Sequence, residues 1–354
     1  MNPSKPNLPF WARLALLVPL GLILALFLVA ASAGIQAPPS DPNRAEVTLS
    51  KPGAVQYAIA IHGGAGTIPK NIPEAEKQAY LKSLSAALKL GQDVLASGGT
   101  SLDAVEKVVR YLEDDPKFNA GKGAVFTHDG KHELDAAIMD GRNLACGSVA
   151  GVTTVKNPIS LARLVMEKTP HVFLAGPGAE HFAEEMKVER VSQDYFFVQK
   201  RYDQWQEELR KEKAAQSVKD RDTVGAVALD KHGNLAAATS TGGLTNKRWG
   251  RLGDVPVIGA GTYANNRTCA ISATGQGEEF IRHNVSHDIS ALMEYKGMTL
   301  QQAAEEVIFR KLKPGDGGVI GVGRDGSLAL VFNSEGMYRG AADSNGRFEV
   351  KIWE

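Results

Sequence analysis

Cysteine is nearly absent: the 354 residues contain two, Cys146 and Cys269. Two are too few for a disulfide framework and lack the spacing of a thiolate metal site. They read as small apolar core residues, with at most one bridge between them in an oxidising compartment. No charge sign is in excess, since 40 Lys and Arg balance 40 Asp and Glu. Without a basic patch, nucleic acid is excluded as a partner. Several catalytic signatures are also missing. There is no P-loop, no G-x-G-x-x-G after a strand and no G-x-S-x-G, so the turn His62-Gly63-Gly64 has no serine elbow to serve. His283 and His287 share a helix face but lack the Glu of H-E-x-x-H, which favours a polar face over a metal site.

What is present begins with one long apolar run, from Leu14 to Ala33, behind Lys5 and Arg13. It is long enough to span a bilayer and ends in small residues, Ala31-Ser32-Ala33. Residues 1–33 are therefore expected to be a signal peptide or membrane anchor, and the Pro-rich stretch 34–54 a linker. The catalytic part is then expected outside the cytoplasmic membrane, exported or anchored. Beyond it the chain is long enough for a sizeable core, and its 37 glycines imply many tight turns.

Residues 55–61 read as a buried strand. Helical periodicity marks 73–90, 102–112, 159–168, 278–295 and 300–312, with Thr100 or Ser101 as a cap. Hairpins are expected between 124–127 and 134–139, between 224–229 and 235–239, and between 319–322 and 328–332. Strands joined as hairpins with helices outside them indicate an α+β protein with antiparallel sheet. Residues 184–221 are highly charged and read as a solvated helix or a flexible linker ending at Asp222.

The chemistry gathers after that linker. Asp222-Thr223 precedes the apolar run Val224-Gly225-Ala226-Val227. A Thr hydroxyl needs a base to attack, and a chain break between Asp222 and Thr223 would supply one. The new α-amine of Thr223 has a pKa near neutrality, unlike a Lys amine. Thr241, one hairpin later in Thr239-Ser240-Thr241-Gly242-Gly243, falls beside Thr223 and can orient it. Arg251 and Asp254 in Gly250-Arg251-Leu252-Gly253-Asp254 suit the α-carboxylate and α-amine of a free amino-acid end. Thr274-Gly275, between an apolar run and a helix, can line an oxyanion hole. Each feature alone is matched by a bland alternative: a cap, a glycine turn or a surface ion pair.

Together they resemble the plant-type asparaginase and isoaspartyl peptidase family of N-terminal-nucleophile hydrolases. The likeness runs from about Tyr57 to Gly340. It is carried by His62-Gly63-Gly64-Ala65-Gly66, Phe118-Asn119-Ala120-Gly121, Glu133-Leu134-Asp135-Ala136, Asp222-Thr223-Val224-Gly225, Ser240-Thr241-Gly242-Gly243, Arg251-Leu252-Gly253-Asp254, Asn265-Asn266 and Ala273-Thr274-Gly275. The resemblance implies a four-layer αββα sandwich made as a precursor, with an α subunit over 55–222 and a β subunit over 223–354. It implies Thr223 as nucleophile and base, Thr241 as its support, and Thr274 and Gly275 at the oxyanion. Arg251, Asp254, Gly275, Asn119 and Gly243 then line the substrate site. Substrates would be L-asparagine or β-aspartyl (isoaspartyl) dipeptides, with no catalytic cofactor. The carbonyls of Leu112, Glu113, Phe118, Ala120 and Lys122 match a segment that holds a structural sodium ion. Assembly as a homodimer of αβ units is expected. Trp249, where a smaller residue is expected, would narrow the pocket mouth. Two alternatives stay open: a glycosylasparaginase-like amidase, which has Asn at the position of Gly242, and an inactive envelope protein on the same fold.

Overall fold

The computed structural model describes residues 54–213 and 222–354. The amino-terminal apolar run and residues 214–221 lie outside the described residues.

Two sheets form the centre. The larger has eight strands in the order β12-β11-β1-β5-β6-β2-β3-β4. Its middle is built from β1 (Ala58–Gly66), β5 (Val224–Leu229), β6 (Leu235–Thr241) and β2 (Leu134–Asp140). β3 (Cys146–Val152) and β4 (Phe173–Ala175) form one flank, and β11 (Gly336–Asp343) and β12 (Phe348–Lys351) the other. The second sheet is β10-β9-β8-β7, from β7 (Thr262–Ala264), β8 (Cys269–Gly275), β9 (Gly317–Gly323) and β10 (Leu328–Phe332).

Strand alternation sorts the apolar residues into layers. Ile59 and Ile61 of β1 join Val224, Ala226, Ala236 and Ala238 in a core shared with α1 (Glu74–Ala96) and α2 (Ser101–Asp114). The intervening Ala58, Ala60, Val227, Leu229 and Ala237 face Ala270, Ile320 and Val322 of the second sheet. That sheet turns Ile271, Ala273 and Val319 towards α7 (Val285–Lys296) and α8 (Leu300–Arg310). The layers are therefore helix, sheet, sheet, helix, the αββα sandwich expected. Alanine dominates the facing strands, so the two sheets pack closely.

Local signals explain the element ends. Thr100 caps α2 by accepting from the Asp103 amide, and Thr299 and Gln302 form a capping box on α8. The helix expected over 278–295 is two helices, α6 (Gly277–His283) and α7, broken where Asn284 adopts φ +47°. Of the hairpins, β5–β6 and β9–β10 form as expected. The first does not: β2 pairs with β3 and β6, while Thr127 makes only an isolated bridge to Lys247. The chain at 124–127 is drawn elsewhere, because the Val125 amide is taken by Asn119 Oδ1 and Phe126 stacks on Trp205, with ring centroids 5.3 Å apart.

That Trp belongs to the charged segment read as solvated. Of the two states expected for it the helix forms, as α5 (Gln199–Lys213), with α3 (Pro158–Lys168) and α4 (Gly176–Glu185) ahead of it. α5 is docked rather than free, with Arg201 and Glu208 buried. Periodicity missed this because its most buried anchors are an Arg and a Glu, with Tyr202 and Trp205 packed beside them on Phe126. Cys146 and Cys269 are both free thiols.

Candidate active site

The site assembles where β5 begins, β6 ends and β8 ends, with the close of β1 between them. In the antiparallel register Val224 lies opposite Ser240, which sets Thr223 beside Thr241. Thr223 Oγ1 donates to Thr241 Oγ1 over 3.3 Å, and both side chains are buried. Thr241 Oγ1 also accepts from the Gly243 amide (3.0 Å) and donates to the carbonyl oxygen of Asp222 (3.2 Å). One donated bond and two accepted ones use the hydroxyl fully. The same Asp222 carbonyl accepts a second bond from Asn119 Nδ2 at 2.8 Å. Asn119 is completely committed: Nδ2 also donates to the Gly243 carbonyl (2.8 Å) and Oδ1 accepts from the Val125 amide (3.0 Å). The peptide bond ahead of Thr223 is thus held by two donors on its carbonyl oxygen.

The far side of Thr223 is fixed by a residue whose role the sequence did not disclose. His62 Nδ1 lies 2.9 Å from the Thr223 carbonyl and Nε2 lies 2.8 Å from Ser272 Oγ. A carbonyl only accepts, so Nδ1 carries the proton and Nε2 accepts from Ser272. Burial pushes His62 down to about 3, which keeps the ring neutral. Ser272 Oγ continues to Thr239 Oγ1 (2.7 Å), which accepts from Thr262 Oγ1 (2.7 Å). This buried polar chain runs between the sheets and ties the Thr223 backbone to the loop beyond Asp254. The only sequence trace was a His ahead of two glycines at a strand end.

Gly64 and Ala65 at the end of β1 bridge to the other candidates. A Cβ at Gly64 would lie 2.6 Å from Asp222 Oδ1, while the Ala65 amide donates to Thr274 Oγ1 over 3.2 Å. Gly275 follows with φ +154° and no room for a side chain against the Asp316 carbonyl. Gly277, two residues on, abuts both substrate-anchor candidates: a Cβ there would lie 2.7 Å from Arg251 Nη2 and 2.9 Å from Asp254 Oδ1.

Arg251 Nε and Nη2 donate to Glu278 Oε1 and Oε2, each over 3.0 Å. Asp254 is buried and its Oδ2 has no hydrogen-bond partner. Burial pushes its carboxyl up to about 7; Arg251 pulls it back, and Glu278 and Asp135 push it further up. An orphaned carboxylate oxygen beside an Arg can take a ligand's ammonium group. Trp249 does not close the mouth as expected. Its indole is 95% exposed, on a backbone at φ +57°.

The carbonyls expected to hold a sodium ion sit on the last turn of α2 (Leu112, Glu113) and on the turn after it (Phe118, Ala120, Lys122). Phe118 and Ala120 carbonyls accept from the Ala120 and Gly123 amides, and the Leu112 carbonyl from the Asp115 amide. Gly121 (φ +48°) and Gly123 bring their α-carbons against the Glu113 and Phe118 carbonyls, where a side chain would not fit. Lys122, polar at this turn, sets its Nζ 5.2 Å over the Tyr195 ring. An all-oxygen set of this kind suits a hard cation. No cluster of His, Cys, Asp or Glu that could hold a metal occurs among the described residues; His283 closes α6 and His287 lies in α7, on either side of the break at Asn284.

The αββα frame places this chain among the N-terminal-nucleophile hydrolases. A family model described as asparaginase matches residues 55–352, and the chain belongs to that family. It is 51% identical over 296 residues to an isoaspartyl peptidase of Salmonella typhimurium, covering 79% of this chain and 93% of the relative. It is 50% identical over 295 residues to the isoaspartyl peptidase of Escherichia coli, covering 79% and 91%. An isoaspartyl peptidase/L-asparaginase of Mus musculus is 41% identical over 319 residues, covering 88% and 94%. The chain is an enzyme of this hydrolase type.

One expectation is corrected here. The exported or membrane-anchored placement rested on residues 14–33 alone. The matches to bacterial, plant and mammalian enzymes lie on the catalytic body, and no described helix is long and apolar enough to cross a membrane. A single hydrophobic run outside the described residues does not decide where that body resides.

Proposed function

We propose that the chain cuts itself between Asp222 and Thr223 and that the freed Thr223 hydrolyses the β-amide of L-asparagine and of β-aspartyl dipeptides. The observation that carries this reading is the pair of donors on the Asp222 carbonyl beside the Thr223 hydroxyl. In the first event Thr223 Oγ1 bonds to the Asp222 carbonyl carbon. Asn119 and Thr241 stabilise the oxygen as it gains charge. The C–N bond breaks as the hydroxyl proton passes to the leaving nitrogen, giving an Asp222 ester and a free Thr223 amine, and water hydrolyses the ester.

The mature site then works on substrate. The Thr223 amine takes the proton of its own hydroxyl, and Oγ1 attacks the side-chain carbonyl of the substrate. Thr274 and the Gly275 amide meet the oxyanion. Arg251 holds the α-carboxylate and Asp254 the α-ammonium. Ammonia or an amino acid leaves with the proton, and water cleaves the β-aspartyl ester. The loop carbonyls of Leu112, Glu113, Phe118, Ala120 and Lys122 would hold a sodium ion, which would brace the turn that presents Asn119. Assembly as a homodimer of αβ units belongs to the same proposal.

A glycosylasparaginase-like reading is disfavoured at Gly242. A Cβ there would lie 2.6 Å from Asn119 Oδ1 and 2.8 Å from Ala124 Cβ, so an Asn does not fit. The inactive-fold reading requires a chain that stays whole. Intact-mass analysis tests the inactive-fold reading: the wild type gives two fragments divided after Asp222, and Thr223→Ala one inactive chain; an assay with glycosylated asparagine tests the other. A single wild-type chain with full amidase activity overturns the reading.

A further inference from the structure

Arg251 does not wait for substrate with an open fork. Its Nε–Nη2 edge is already filled by the Glu278 carboxylate, two bonds of 3.0 Å. Glu278 is itself steadied by Gln276, whose Nε2 donates to Oε2 over 3.0 Å. A guanidinium has five N–H groups in one plane. With the side edge taken, the paired N–H groups left are those of the Nη1–Nη2 end. Two glycines keep that end clear. A Cβ at Gly253 would lie 2.9 Å from Arg251 Nη1, and one at Gly277 would lie 2.7 Å from Nη2. Gly277 also borders Asp254 Oδ1, so the open end of the fork and the orphaned carboxylate share one space.

We infer that Glu278 is a positioning residue that sets substrate specificity: it locks Arg251 so that only the Nη1–Nη2 end meets a ligand, which selects a free α-carboxylate next to an α-ammonium. The inference rests on the proposed hydrolysis of L-asparagine and adds a residue to that site. An Arg freed from Glu278 rotates about its terminal bonds and pays entropy on each binding event. Glu278 also balances charge. Arg251, Glu278, Asp135 and Asp254 act on one another, and Lys247 faces Asp135. With Glu278 in place, Arg251 is neutralised until a carboxylate arrives, so a lone anion gains little from the site.

The test uses the full-length, self-processed enzyme with Glu278→Gln and Glu278→Asp. Substrates are L-asparagine and its α-carboxamide analogue, at a pH of about 8, above the value of about 7 to which burial pushes Asp254. Gln keeps the shape but offers Arg251 one acceptor rather than two. The expected result is a KM for asparagine raised about tenfold, which is about 1.4 kcal/mol. The kcat stays within about twofold, and KM for the analogue is unchanged, so the preference for the carboxylate falls about tenfold. Asp restores part of it. Removing a negative neighbour from Asp254 also moves the acid limb of the KM profile to lower pH, which a packing defect would not do. An unchanged asparagine KM, or equal losses on both substrates with an unmoved pH limb, overturns the inference. Wild-type turnover of asparagine is read in the same experiment, so failure of the proposed function is seen separately.

Discussion

Asn119→Asp isolates the first chemical event. Asn119 Nδ2 donates to the Asp222 carbonyl and to the Gly243 carbonyl, both at 2.8 Å. Asp has the same shape and still accepts from the Val125 amide, so the turn keeps that bond. It loses both donors and sets a carboxylate oxygen against two carbonyl oxygens. Removing one oxyanion donor costs about 100- to 1,000-fold in rate, and the Thr241 hydroxyl remains as the second donor. Self-cleavage of the variant is therefore expected to slow by about that factor. The assay is a time course of uncut chain after purification, by denaturing gel and intact mass. A control separates chemistry from folding: Thr223→Ala and the double variant Thr223→Ala/Asn119→Asp are both uncut, so the drop in thermal midpoint between them reads the folding cost of the buried charge alone. Cleavage of Asn119→Asp after Asp222 at the wild-type rate would refute the assignment of Asn119 to the scissile carbonyl.

Two further predictions follow from buried acids. Glu113 accepts from Ser240 Oγ (2.7 Å) and the Ile159 amide (3.0 Å), while Oε2 is unpartnered, and burial pushes it up to about 8 from 4.5. An acid raised in the fold contributes its full stability below about 4.5 and loses it as pH rises through about 8; Glu113→Gln should raise the melting temperature at pH 8 and flatten its fall by calorimetry, whereas parallel curves would contradict this. Asp254, raised to about 7 from 3.8, destabilises the fold on the alkaline side for the same reason. The ammonium of a substrate needs it ionised, so wild-type KM for asparagine should rise as pH falls below about 7. Asp254→Asn should melt higher at pH 8 yet raise KM at least tenfold, as loss of a buried ion pair costs about 2–5 kcal/mol.

The sequence disclosed what depends on chain neighbours. Asp222-Thr223 at the head of an apolar strand, a two-strand hairpin returning Thr241, and a Thr-Gly turn ahead of a helix are all local patterns, and the structure brings these residues together. It hid what depends on burial of polar groups. His62 reads as part of a glycine turn, yet its ring reaches Thr223 and Ser272, 161 and 210 positions further along the chain. α5 reads as a charged solvated segment, but Arg201 is 3% exposed and lies 3.5 Å from an Asp222 carboxylate oxygen. Glu278 reads only as the start of the helical run 278–295, while its carboxylate is spent on Arg251. Hydrophobic periodicity carries no signal for any of these. The false hairpin at 124–134 has the same origin, since an Asp-Gly turn signal there lost to a side-chain acceptor, Asn119 Oδ1, and to a stack on Trp205.

On the proposed reading two acyl groups react at one hydroxyl, and their proposed oxyanion donors come from different elements. The Asp222 carbonyl is held by Asn119 and Thr241, both on the larger-sheet side. Thr274 and Gly275 lie at the end of β8 in the other sheet and, among the hydrogen bonds described, Thr274 Oγ1 is engaged only by the Ala65 amide. A hole that bound both carbonyls would leave the new Asp222 carboxylate seated on the donors its successor needs. With separate donors, the cleaved end can depart from Asn119 and Thr241 without disturbing Thr274 and Gly275. Thr241 is common ground: its one proton points to Asp222 in the uncut chain, and cleavage removes that acceptor. The hydroxyl is then released to orient Thr223, so the group that assists the cut becomes available to the nucleophile by the cut itself.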